Sequence, residues 1–176
     1  ILVGDIMNAA IIGSVSNTYK ETMPPNEQRK KAERLFAPIK DRILASTTGN
    51  HERRIYRATD IDMSELLAER LGCYYRQDGI LLKLRVGKQT YNHKPAVYTV
   101  YATHGTGGGR KPGGKANMLD RMAEVVLSDI YIAAHTHTMM TFQWLLNVPD
   151  IRNNTVNQAK LTFVMSGSFL GWGGYA

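Results

Sequence analysis

The chain has 176 residues, 43% of them hydrophobic and 21% charged, with 22 Lys and Arg against 15 Asp and Glu for a net charge of +7. That length suits one domain spanning residues 1–176 and leaves no room for a second complete one. No apolar run reaches the roughly 18 residues of a membrane span, a lone cysteine, Cys73, excludes an internal disulfide and a cysteine-built zinc cluster, and the basic balance favours a polyanionic partner.

Ile1-Leu2-Val3-Gly4 carries neither a basic region nor a cleavage site, so it does not read as a signal peptide; it reads as a chain cut inside or just before a strand. The cysteine usage fits a reducing, cytoplasmic compartment, and Cys73 is expected to be a small, buried, apolar side chain.

Leu2-Val3 reads as a buried strand ending at Gly4-Asp5, and the stretch from Ser14 to Asn26 as a loop. From about Glu27 to Lys40, Ala32, Leu35, Phe36 and Ile39 recur at helical spacing, with Pro38 expected to close the helix or bend its last turn. Arg42 to Thr47 reads as a strand running into Gly49-Asn50-His51-Glu52. Asp62-Met63-Ser64-Glu65 has the form of a helix start, with Gly72 as the stop.

Tyr74-Tyr75, Ile80 to Val86 and Ala96 to Thr103 are the next strand candidates, and this middle stretch is expected to be antiparallel. Gly105 to Gly114 holds six glycines with Arg110, Lys111 and Pro112 and reads as a basic lid or substrate loop without regular structure. Ala116 to Val126 follows helical spacing, Asp129 to Ala134 reads as a strand ending at His135, and Met139 to Leu146 and Leu161 to Met165 supply two more strands. The pattern predicts an α/β fold. No internal repeat is visible.

Four of the five histidines follow these strand-like runs, together with Asp5 and Asn50. The carboxyl ends of strands are where open α/β sheets carry their sites. Asp5 can bridge two cations, and the imidazoles of His104, His135 and His137 with the amide oxygen of Asn50 form a nitrogen and oxygen donor set. That set suits manganese, iron or zinc better than calcium. In an extended segment His135 and His137 would point the same way. His51, next to Asn50, would point elsewhere and is the candidate for proton transfer to a leaving-group oxygen. Arg53, Arg54, Arg110 and Lys111 can meet phosphate oxygens. His93 belongs to no such patch and is expected in a solvated loop; Trp144, Trp172 and the tyrosines are expected to pack rather than stack on bases.

These motifs, Gly4-Asp5, Gly49-Asn50-His51-Glu52, His104 and Ala134-His135-Thr136-His137, resemble those of the calcineurin-like metallophosphoesterase superfamily, in family order and over nearly the whole chain. The resemblance implies a four-layer α/β/β/α sandwich, two divalent ions, most simply manganese, and hydrolysis of phosphate esters by a metal-held hydroxide. Asp5 would bridge the ions; Asn50, His104 and His135 would bind one and His137 the other. His51 would be catalytic. The family's first motif, Asp-x-His, has no counterpart, which leaves one ion with only Asp5 and His137 and implies truncation at the first strand. Ala134 replaces the usual glycine.

The basic charge points to a phosphodiesterase acting on nucleic acid. The Glu after His51 suggests a phosphomonoesterase or protein phosphatase instead, although the longer Gly-Asp-x-x-Asp-Arg-Gly form is absent: the chain reads Gly4-Asp5-Ile6-Met7-Asn8. A third reading is a non-catalytic nucleic-acid-binding module on a decayed phosphoesterase fold.

Overall fold

The computed structural model describes residues 1–14, 21–91, 93–107, 109 and 111–170. Arg110 and Trp172 lie outside the described residues. The chain is mixed α/β, as its pattern predicts, and divides into two compact units, Ile1–Ile80 and Leu81–Ala176.

The first unit holds a three-stranded sheet in the order β1 (Leu2–Val3), β2 (Ala45–Thr47), β3 (Tyr74–Tyr75). Both pairings are parallel. The expected antiparallel arrangement therefore fails for β3. The reason lies in what separates β2 from β3: two helices, α2 (Glu52–Thr59) and α3 (Met63–Leu71), form the crossover a parallel pair requires.

Helix α1 (Pro25–Phe36) opens on a proline, where the missing N–H would have been unpaired anyway. The expected α-helix does not reach Lys40. It ends at Phe36, and the chain continues as a 3-10 helix over Ala37–Arg42, because Pro38 cannot donate to the α ladder. Consequently Arg42 is not in a strand, and β2 is only three residues long. Ala32 is buried with Ile43, Leu67 and Leu71, and Phe36 and Cys73 pack against them half-buried; Leu35 and Ile39 stay exposed. Helix α3 starts and stops where expected: the Asp62 side chain accepts the N–H groups of Ser64 and Glu65, and Gly72 adopts φ 70°.

The second unit holds a five-stranded sheet in the order β4-β5-β6-β8-β7, made of β4 (Ile80–Val86), β5 (Ala96–Ala102), β6 (Ile130–Ala133), β7 (Met140–Asp150) and β8 (Thr155–Met165). β6 runs parallel to β5 and to β8. Between β5 and β6 lie α4 (Pro112–Asp120) and α5 (Met122–Val125). The glycine-rich stretch is thus shorter than expected, since Pro112 takes a first-turn position and Gly113 and Gly114 are helical.

β7 and β8 are longer than their apolar cores suggested, pairing antiparallel from Met140↔Met165 to Asp150↔Thr155. Asp150 shapes the turn by accepting the N–H groups of Arg152 and Asn153. The core of this unit is an aromatic stack: Phe163, fully buried, lies 4.7 Å from Tyr131, 4.8 Å from Phe142 and 4.9 Å from Trp144, ring centroid to centroid. Trp144 therefore packs, as expected. His93 is exposed, bridging to Thr90.

Candidate metal centre

In the first unit, the register Val3↔Thr47 carries Gly4-Asp5 past Thr48-Gly49 as both strands end. A Cβ placed on Gly4 would sit 2.4 Å from the Gly49 nitrogen, and one on Gly49 would sit 2.1 Å from both Asp5 N and Asp5 Oδ1. No side chain fits at either position, so two glycines allow the two strand ends to touch. Asp5 itself holds φ 51°, in the left-handed region that costs a non-glycine residue free energy.

The approach brings Asp5 and His51 together. Asp5 Oδ1 accepts the His51 backbone N–H at 2.9 Å, and Asp5 Oδ2 stands 3.7 Å from His51 Nε2. The other ring nitrogen, Nδ1, lies 2.9 Å from Asn8 Oδ1. Asn50 is exposed in the turn between β2 and α2.

Glu52 underlies this arrangement. It is 1% exposed, and its carboxylate accepts three backbone N–H groups, from Asp5 (3.1 Å), Gly49 (3.2 Å) and Met7 (2.9 Å). Burial pushes its pKa up, with the Asp5 charge adding to the rise and the Met7 and Asp5 N–H groups opposing it. One side chain thereby ties both glycine-bearing turns together. Sequence reading found Glu52 as part of a motif and gave it no structural role; its position just after the two polar motif residues was the available signal.

Of the four cationic residues expected at the phosphate, Arg53 pairs with Asp78 and Arg54 is half-buried on α2. Lys111 is exposed immediately before α4.

In the second unit, the parallel register Ala102↔Ile132 continues one step beyond the strands. Thr103 N–H donates to Ile132 O at 3.0 Å and Ala134 N–H to His104 O at 3.1 Å. His104 and His135 therefore stand at neighbouring carboxyl ends. His104, 6% exposed, puts Nε2 at 3.2 Å from His135 Nδ1, the rings meeting edge to face at 76°. Two nitrogens each about 2.0–2.1 Å from one ion, at a right or tetrahedral angle, are separated by roughly 2.8–3.4 Å. The observed 3.2 Å separation falls in that range.

His135 and His137 are not in an extended segment, contrary to expectation. β6 ends at Ala133, and both residues hold left-handed backbone, φ 65° and 55°. A pleated alternation cannot be used to aim their rings. Lys115, on α4, secures this turn by donating from Nζ to Thr136 O at 3.2 Å and to Thr138 Oγ1. Three of the expected donors, Asp5, His135 and His137, are among the six non-glycine residues with positive φ in the described residues.

No family model matches the chain, and neither a curated protein nor a solved structure matches it.

Proposed function

We propose that the protein is a metal-dependent phosphoesterase, in first place a phosphodiesterase acting on nucleic acid. Asp5, Asn50, His104, His135 and His137 are its proposed ligands for two divalent ions, manganese foremost and iron or zinc next. The observation that carries this reading is the 3.2 Å approach of two imidazole nitrogens at neighbouring strand ends. Left-handed backbone at Asp5, His135 and His137 supports it, because such conformations gather where a side chain must be aimed. The four-layer α/β/β/α sandwich belongs to the same proposal.

Bound ions would supply positive charge at the phosphoryl oxygens and lower the pKa of water. The chain's own part falls to His51. Asp5 and Asn8 flank its ring on the two nitrogens, which leaves it oriented to deliver a proton to the departing oxygen. The net charge of +7 favours a polyanionic substrate over a small neutral one.

The test strips the chain of metal with a chelator, restores manganese, iron or zinc separately, and measures bound metal and hydrolysis of chromogenic mono- and diesters and of single- and double-stranded DNA. Metal-dependent diester or DNA cleavage is the expected result; faster monoester turnover would move the reading to a phosphomonoesterase. Salt-sensitive DNA binding without metal uptake or hydrolysis would replace the enzyme by a binding module.

A further inference from the structure

Glu21 stands just ahead of α1 and uses both carboxylate oxygens. Oε1 accepts from Asn8 Nδ2, and Oε2 accepts from Gln28 Nε2 at 3.1 Å. Gln28 is pinned in turn, because Nε2 also donates to Met23 O at 2.8 Å while Oε1 accepts the Ala9 N–H at 3.1 Å. These bonds run in one direction only. A carboxylate can accept and not donate, so Asn8 must turn its NH2 group toward Glu21 and its Oδ1 toward His51. That oxygen also only accepts, so the His51 nitrogen 2.9 Å away, Nδ1, must carry a hydrogen.

We propose that Glu21 is a positioning residue for His51: by fixing the orientation of the Asn8 amide, it sets the ring tautomer with hydrogen on Nδ1, the nitrogen facing Asn8. Without an acceptor-only neighbour, the Asn8 amide can rotate about its last bond and present NH2 to the ring. The neutral imidazole would then move its hydrogen to Nε2. A short loop carboxylate thus governs the protonation geometry of a residue 30 positions away in sequence, acting through one amide.

The kinetic consequence rests on the phosphoesterase reading, whereas the tautomer does not, so the two are measured separately. Nitrogen NMR of the neutral His51 ring in the metal-free protein should show hydrogen on Nδ1 alone. Glu21→Ala should give a mixture of tautomers. In the Glu21→Ala background, Asn8→Asp should restore the Nδ1–H form, because a carboxylate at position 8 accepts whatever lies behind it. Glu21→Met, which keeps most of the side chain's length but offers the Asn8 amide no oxygen, serves the same purpose should Glu21→Ala lower the melting temperature. In the kinetic measurement, Glu21→Ala should lower kcat about tenfold with little change in KM, and the double variant should recover most of it. A folded Glu21→Ala or Glu21→Met protein that keeps the wild-type tautomer would overturn the proposal, as would a folded double variant that fails to restore it. A tautomer shift in a protein with no hydrolytic activity would leave the positioning role standing and remove the phosphoesterase reading.

Discussion

Gly49 and Asp5 meet so closely that a methyl group on the glycine would lie 2.1 Å from both the backbone nitrogen and the Oδ1 of the aspartate. The contact ties the identity of one motif residue to the placement of another 44 positions earlier.

Gly49→Ala should therefore cost at least the roughly 1–3 kcal/mol of an overpacked core site, since the obstacle includes the Asp5 backbone nitrogen, which cannot swing aside. Urea denaturation measures the loss. Metal content measured on the same variant should fall with it, because Asp5 is what must move.

Glu52 offers a graded pair of substitutions. Glu52→Leu leaves three backbone N–H groups, two of them buried and one part-buried, without an acceptor, each buried one worth about 1–3 kcal/mol, so a loss of about 3 kcal/mol or more is expected. Glu52→Gln can keep its oxygen where Oε2 stood, serving Asp5 and Gly49, and deprives only Met7; about 1–2 kcal/mol should be lost. Equal costs for the two would mean that the three bonds are not what Glu52 contributes.

His51 and His135 should separate cleanly. His51→Gln is expected to lower kcat by about 10²–10⁴-fold while bound metal is unchanged, the signature of lost proton transfer. His135→Ala should instead reduce metal affinity, since it removes one of the two nitrogens 3.2 Å apart. Elemental analysis beside steady-state kinetics distinguishes the two outcomes.

Tyr75 gives a pH dependence with a defined sign. Burial raises its hydroxyl pKa well above the usual tyrosine value, and donation to Asp62 Oδ2 at 2.5 Å raises it further. Because the folded pKa exceeds the unfolded one, this contribution to stability is complete below the unfolded value of about 10 and is lost as pH rises beyond it toward the folded value. Tyr75→Phe should cost about 1 kcal/mol at neutral pH and flatten the alkaline limb. Denaturation midpoints compared between about pH 8 and pH 11 report the difference.

Where local chemistry decided the outcome, the sequence was readable. Asp62 and Gly72 bracket α3 because an N-cap carboxylate and a left-handed glycine act over a few residues, and both were visible in the pattern. Strand direction was not visible at β3, because it depends on the crossover rather than on Tyr74 and Tyr75 themselves. The ends of β7 and β8 were hidden for another reason: Asn147, Pro149, Asn157 and Gln158 carry no apolar alternation, and these residues are in strands through the ladder alone.

At the candidate site, the histidines were legible by their place after strand-like runs, but the aim of their rings was not. His135 and His137 leave the strand with positive φ, in a turn that Lys115 contacts from a separate helix, and no local spacing announces either feature. Asn8 and Glu21 were invisible as partners of His51 because no spacing rule joins a loop carboxylate to an imidazole through an intervening amide.

The hairpin of β7 and β8 has one end stacked around Phe163 and the other, from about Leu145 outward, largely bathed in water. The strand pairing is continuous along it, yet the apolar support is concentrated at the base. Opening should accordingly be graded: amide protons near Asp150 and Thr155 would exchange through local fraying, and those near Phe142 and Phe163 only when the whole unit unfolds. A single element would thus span nearly the full range of protection the protein can offer.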